Sequence, residues 1–256
     1  MVAHTSHKHG TFSWLDLPSH DLAATKAFYS GLFGWAYADM PVGEGMIYSM
    51  CLKEGAAVCA LSSPMPGGPA QPQWNSYITV ADVDATVEKA KAAGGEIFAH
   101  HDVFDAGRMA LVKDPSGAHV ALWQARQHIG AHRLNEHGAL AWNELHSTDV
   151  AAAKKFYTDA IGWGSSEMPM GPGMVYTLFC ESGNPQRTHG GLMPAQPGVA
   201  SHWQVVFQVD DCDAAVAKVN ASGGKVLAEA QDMPGIGRFA KCADPQGAAF
   251  SVIQAA

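Results

Sequence analysis

The sequence predicts an α+β chain of two tandem domains, each a β-α-β-β-β unit written twice. Two observations carry the duplication. The segment W-L-D-L-P-S-H-D-L-A-A-T-K-A-F-Y-S-G-L-F-G-W from Trp14 returns as W-N-E-L-H-S-T-D-V-A-A-A-K-K-F-Y-T-D-A-I-G-W from Trp142, and D-P-S-G at Asp114 returns as D-P-Q-G at Asp244. A third observation gives the unit: inside each copy, strand-like alternation gives way to a capped helix and then returns.

Phe12 to Leu17 alternates as a strand, and Asp21 is placed to cap a helix running to about Leu32, with Leu22, Phe28, Tyr29 and Leu32 on its apolar face and Gly34 ending it. Strand-like pieces follow at 46–52 and 56–62, then a connection rich in Pro and Gly, P-M-P-G-G-P-A-Q-P-Q. The plan restarts with a strand over 74–80, a helix over 82–93 closed by Gly94-Gly95, and strands over 96–101, 108–113 and 118–123. The predicted organisation is a mobile tail over 1–10, a first domain over 11–125, a linker over 126–137 and a second domain over 138–256. The tail is polar, bears His4, His7 and His9, and has nothing of its own to pack.

Composition narrows the function classes. A net charge of -8 without a Lys/Arg run argues against nucleic acid or an anionic membrane as the main partner. No run of about 18 apolar residues is present to span a bilayer, and the N-terminus lacks the apolar stretch of a signal peptide, so a cytoplasmic protein is expected. The 5 cysteines are scattered and lack C-x-x-C spacing, which points to reduced, packed thiols.

The β-α-β-β-β unit paired within a domain resembles the vicinal oxygen chelate superfamily, the group of glyoxalase I, bleomycin-resistance proteins and extradiol dioxygenases. The motifs D-L-x-x-x-x-x-F-Y-x-x-x-x-G-W and D-P-x-G carry the likeness, which covers about residues 11–125 and 138–254. The resemblance implies that the strands of each domain curl into a mixed-sheet cup with helices outside, and that a divalent metal in the cup is held by His, Gln or Glu. Those ligands belong near the starts of the first and fifth strands and the ends of the fourth and eighth. Here the first-strand position falls on Trp14 and Trp142, the fifth on Asn75 and Gln204, and the eighth on Ala121 and Ser251. The fourth-strand segments, A-A-V-C-A-L-S-S and H-G-G-L-M-P, contain no Glu. Indole offers a metal no lone pair, and one amide does not hold a divalent ion, so no metal ligands and no cofactor are expected. A metal-dependent enzyme would need ligands outside these positions. His100 and His101 are adjacent on a strand and point apart, whereas His146, His189 and His202 lie on three segments that could converge.

Strand parity places Asp16 on the face of Trp14, and Glu144 on the face of Trp142. Each acid is either paired with a base, Arg108 and Arg238 being the candidates, or left free to move a proton or grip a ligand. The same parity brings Asn75, Tyr77, His119 and Trp123 into the first cup, and Gln204 and Ser251 into the second. The segments M-P-V-G-E-G-M-I-Y and M-P-M-G-P-G-M-V-Y could form lips over the cups, although Met46 and Met174 equally suit the core. An aromatic lining with few polar groups suits a flat organic molecule. The expected function is binding of a small aromatic or polycyclic ligand without the usual metal. The alternative is a lyase, isomerase or dioxygenase of this superfamily, either metal-dependent or using Asp16 and Glu144 as acid and base. Monomer and homo-oligomer both remain open, because four units in one chain can imitate a family dimer.

Overall fold

Four aspartates start the four helices. In α1 (Leu22–Phe33), α2 (Val83–Ala92), α3 (Val150–Ile161) and α4 (Cys212–Ala221), the carboxylates of Asp21, Asp82, Asp149 and Asp211 each accept the backbone N–H three residues on, satisfying a donor the helix itself leaves free. Gly34 and Gly162 close α1 and α3 in the left-handed conformation, at φ 74° and 84°. The computed structural model describes residues 3–64, 72–171 and 174–256.

In the first domain the strands are β1 (Phe12–Pro18), β2 (Ala36–Gly43), β3 (Met46–Lys53), β4 (Ala56–Ser62), β5 (Asn75–Thr79), β6 (Glu96–Val103), β7 (Gly107–Lys113) and β8 (His119–Ala125). The second repeats them as β9 (Leu140–Ser147), β10 (Gly164–Gly171), β11 (Met174–Glu181), β12 (Asn184–Pro194), β13 (His202–Gln208), β14 (Lys225–Met233), β15 (Gly237–Ala243) and β16 (Ala249–Ala255). Each domain forms one 8-stranded sheet, in the orders β2-β3-β4-β1-β5-β8-β7-β6 and β10-β11-β12-β9-β13-β16-β15-β14. Both are mixed and curled: β1 runs parallel to β4 and antiparallel to β5, and β9 does the same with β12 and β13.

β2 escaped the sequence pattern because it is an edge strand, exposed along almost its whole length, so no apolar alternation marks it. Its end, Met40 to Gly43, pairs back onto β3 from Met46, so this Met- and Gly-rich segment is a hairpin and not a free lip; Met46 is partly exposed. The Pro- and Gly-rich connection before β5 lies mostly outside the described residues, as does the side chain of Met174.

The repeated motifs join the two domains. Tyr29 of α1 donates to Asp244 of the second D-P-x-G at 3.4 Å, and Tyr157 of α3 donates to Asp114 of the first at 3.1 Å. Around these bonds one apolar core runs through both domains, with Phe28 on Phe250 and Phe33 on Phe207. The Phe-Tyr pairs are thus core, and they cement the domain boundary. All five cysteines are buried and free. Among the described residues no helix is long and apolar enough to cross a membrane.

The N-terminal residues do find something to pack against. The His4 N–H donates to the carbonyl of His132, His7 Nε2 lies 2.8 Å from the Ala131 carbonyl, and His9 Nε2 lies 2.8 Å from the Ile161 carbonyl of the second domain. The linker that receives them is itself docked: Ala131 donates to the Ser13 carbonyl and His132 to that of Ala57. Gly130, at φ 105°, permits this approach, since a Cβ there would overlap the Ser13 backbone.

Candidate ligand-binding cups

Register fixes what faces the first cup. Trp14 lies opposite Tyr77, and Asp16 lies between Asn75 on β5 and Ala60 on β4. Tyr77 in turn neighbours Ala121 on β8. Trp14, Ala57, Ala60, Tyr77, Ala121 and Trp123 form an apolar cluster on this face, separate from the interdomain core. The linker completes it with Ala131, and with the ring of His128 edge-on to Trp14 at 4.5 Å and near Trp123 at 5.8 Å.

Asp16 is 6% exposed and, among the described residues, accepts only from neutral donors: Tyr77 at 2.6 Å, Asn75 at 2.8 Å and Tyr48 at 3.4 Å. Burial pushes its carboxyl above the usual value, and the three hydrogen bonds offset only part of that shift. Tyr48 also receives the Trp14 indole N–H at 2.8 Å, so acid, phenol and indole form a chain. Burial pushes His128 down to about 4, and its Nε2 has no partner among the described residues.

The second cup repeats the chain with other partners. The Trp142 indole donates to Tyr176 at 3.0 Å, and Tyr176 donates to Glu144 at 2.8 Å. The longer Glu side chain and a missing Cβ both allow the shorter phenol–carboxylate contact: β12 puts Gly191 where β4 has Ala60, and a Cβ at Gly191 would overlap the Tyr176 hydroxyl. Glu144 differs from Asp16 in having a basic partner, His146 Nε2 at 2.9 Å. Burial acts to raise the Glu144 carboxyl, but His146, Tyr176 and Lys241 together outweigh it and hold the group below its usual range. His202, directly across from His146, stacks on it at 4.9 Å, and burial lowers its basicity.

Several sequence expectations change here. Arg108 and Arg238 are not partners of the cup acids. Arg108 binds Asp84 and Asp102, and Arg238 binds Asp213 and Asp232, on the helix side and at strand ends. Both are the second residue of their strands, opposite Asp102 and Asp232, where the acids of α2 and α4 reach them. His119 is exposed at the start of β8 against Phe98, away from the Asp16 cluster, because it precedes Ala121 by two residues, about 7 Å along the strand, which carries it beyond the cup floor. His100 sits with Asp84 and Arg108. Of the three histidines that could converge, His146 and His202 do, whereas His189 stacks on Trp163. Lys241 was missed. It faces the second cup opposite Ser251 and senses the charge of Glu144, and only the β15–β16 register reveals it.

The positions that the family resemblance assigns to metal ligands carry Trp14, Asn75 and Ala121 in one cup and Trp142, Gln204 and Ser251 in the other, and register sets Ala60 and Gly191 beside the acids on the fourth strands. The Trp14 indole donates to the Tyr48 hydroxyl, the Asn75 amide donates to Asp16, and the Asp16 oxygens already accept from Asn75 and Tyr77. This donor set does not fit a divalent ion. Among the described residues no three His, Cys, Asp or Glu side chains are grouped to hold one.

The family model described as Glyoxalase/Bleomycin resistance protein/Dioxygenase superfamily matches residues 11–122 and again 139–252. The chain belongs to this superfamily. Among its relatives, "Putative glyoxylase CFP32" of Mycobacterium tuberculosis is 45% identical over 260 residues, covering 100% of this chain and 99% of its own. "Anthracycline biosynthesis protein DnrV" of Streptomyces peucetius is 35% identical, covering 96% of this chain and 93% of its own. Solved structures share the fold at low identity. The Mn(II)-bound glyoxalase of Novosphingobium aromaticivorans superposes with a TM-score of 0.68 at 16% identity, covering 96% of this superfamily member and 82% of that chain. The 2,2',3-trihydroxybiphenyl 1,2-dioxygenase of Sphingomonas wittichii strain RW1 does so at 0.66 and 16%, covering 96% and 90%.

Proposed function

We propose that this superfamily member binds a small, flat aromatic or polycyclic organic molecule in one or both cups without the metal used elsewhere in the family. The carrying observation is the floor of the first cup, where Trp14, Tyr77 and Trp123 cluster beside a carboxylate that, among the described residues, is bonded only to neutral donors. Aromatic walls with a few placed polar groups suit flat ligands. A relative named for anthracycline biosynthesis makes polycyclic aromatics the class to try first. Native mass spectrometry after exposure to manganese, nickel, zinc and ferrous iron tests the metal part, and one ion held per cup would overturn it. Titration calorimetry with a panel of flat aromatics, from naphthyl ketones to anthraquinones, tests the ligand part.

A second reading, a metal-free acid/base enzyme, is favoured by one observation: Asp16 is buried with no cation beside it among the described residues, and burial raises its carboxyl above the usual value. Asp16→Asn, and Glu144→Gln in the second cup, would then abolish turnover and spare ligand binding. Turnover that survives both substitutions removes this reading.

A further inference from the structure

The floor of the first cup is covered by the chain itself. Trp14 is 3% exposed and Trp123 is 5% exposed, whereas their counterparts in the second cup, Trp142 and Ile253, are partly exposed. The cover is the linker segment 126–132. Its backbone is bonded to the rim on both sides: Arg126 and His128 donate to the Ala106 carbonyl in the turn between β6 and β7, Ala131 donates to Ser13 on β1, and His132 to Ala57 on β4. Between these anchors the His128 ring stands edge-on to Trp14 at 4.5 Å and to Trp123 at 5.8 Å, and the His128 carbonyl accepts the Trp123 indole N–H at 2.9 Å. A flat ring thus sits where an aromatic ligand would pack.

Opposing forces act on this segment. His128 Nε2 is buried without a hydrogen-bond partner among the described residues, so the docked ring forgoes a bond that water would supply once it swung out. Holding it in place are the rim bonds and the N-terminal residues. The N–H groups of Ala131 and His132 go to the rim, while their carbonyls are taken by His7 Nε2 at 2.8 Å and by the His4 N–H. The N-terminal segment is pinned in turn to both domains: the Gly10 N–H donates to the Thr79 carbonyl, and the Trp163 indole donates to the Gly10 carbonyl at 2.9 Å. The second cup folds on the same plan with its tryptophan partly uncovered, so the plan does not require such a cover.

We propose that residues 126–132 are an autoinhibitory strap, in which His128 and Ala131 occupy the first cup in place of a ligand and residues 4–10 latch the strap down. The first cup then takes a flat organic molecule only when the strap lifts, and the second cup is the open site. This assignment rests on the reading of the cups as sites for flat organic molecules and adds which cup is open and what closes the other. A closed strap divides the affinity of the first cup by the fraction of molecules in which it is open. Removing the ring or lifting the strap therefore restores that affinity without a new contact.

The test titrates 2-acetonaphthone into the full chain by calorimetry and follows deuterium exchange at the His128 C2 hydrogen by mass spectrometry. His128→Gly removes the plug, and Gly130→Ala lifts the strap by setting a Cβ against the Ser13 backbone. Each variant should bind one equivalent more than wild type, with first-cup affinity raised by about tenfold or more. Trp14→Ala added to His128→Gly should remove the gained equivalent. His128 should exchange slowly in wild type and about tenfold faster or more in Gly130→Ala, which reports the strap without any ligand. Two equivalents of equal affinity in wild type, or a stoichiometry unchanged in both variants, overturns the strap and leaves the general reading in place. Exchange of His128 in wild type as fast as in free histidine overturns the strap as well. Failure of 2-acetonaphthone to bind wild type and both variants at millimolar concentration overturns the strap as a gate, and failure of the whole aromatic panel overturns the general reading too.

Discussion

Replacing Tyr77 by Phe removes the shortest hydrogen bond to a buried acid and leaves the ring where it is. The phenol donates to Asp16 at 2.6 Å inside an apolar cluster, where a bond to a charged acceptor is worth about 1.5–3 kcal/mol. For a chain of this length, a loss of about 2 kcal/mol lowers the melting temperature by roughly 4–8 °C. The loss should depend on pH, and its sign follows from the raised Asp16 carboxyl. The folded chain holds that proton more tightly than the unfolded chain, so the contribution of Asp16 to stability is best at acid pH. It declines as pH rises through the ordinary carboxylate value and on to the raised folded value. Without Tyr77 the charged form loses a donor, the folded value rises further, and the deficit deepens at neutral pH. Scanning calorimetry at pH 7.5 and pH 4.5, on Tyr77→Phe alone and in an Asp16→Asn background, measures this. The substitution should cost most at pH 7.5, and its cost should fall by about half or more when Asp16 is Asn. An equal loss at both pH values and in both backgrounds would refute the placement of a charged, neutral-bonded Asp16.

His128 should act with the opposite sign. Its ring is pushed down to about 4 by burial, so the stability it contributes is full above the ordinary histidine value near 6.5 and is lost as pH falls toward 4. His128→Phe should flatten that part of the melting-temperature profile relative to wild type. Gly191→Ala should force Tyr176 off Glu144, costing about 1–3 kcal/mol, and a crystal structure should show the phenol–carboxylate distance lengthened toward the 3.4 Å of the Ala60 cup. Gly130→Ala should lift the linker from β1, and limited proteolysis should cut within 126–137 faster than in wild type. Tyr29→Phe and Tyr157→Phe each remove one interdomain hydrogen bond and leave a buried indole N–H, of Trp74 or Trp203, without its acceptor, so each should cost about 2–4 kcal/mol by thermal melting.

Local patterns were legible where one residue acts on its own strand or helix. Asp21 and Asp82 are capping residues because a cap needs only its own next turn. Trp14 and Asp16 share a face because a strand has a period of two, and Asn75 and Tyr77 joined them for the same reason. The same rule overreached with His119, since parity names the face and not the distance along it. β2 was silent because an exposed edge strand buries nothing, and strand alternation is a record of burial.

The sequence by itself determined the duplication and the paired β-α-β-β-β plan, because both are written in local order or in self-similarity. Tertiary structure alone decided the partners. Arg108 and Arg238 were drawn to acids on helices and strand ends, His146 was set on Glu144, and the linker was laid into the first cup but not the second. Lys241 joined Ser251 and Gln204 only through the registers of β15, β16 and β13. Such pairings depend on which strands are neighbours and how they are aligned, which is settled by the burial of the whole core and not by any one segment.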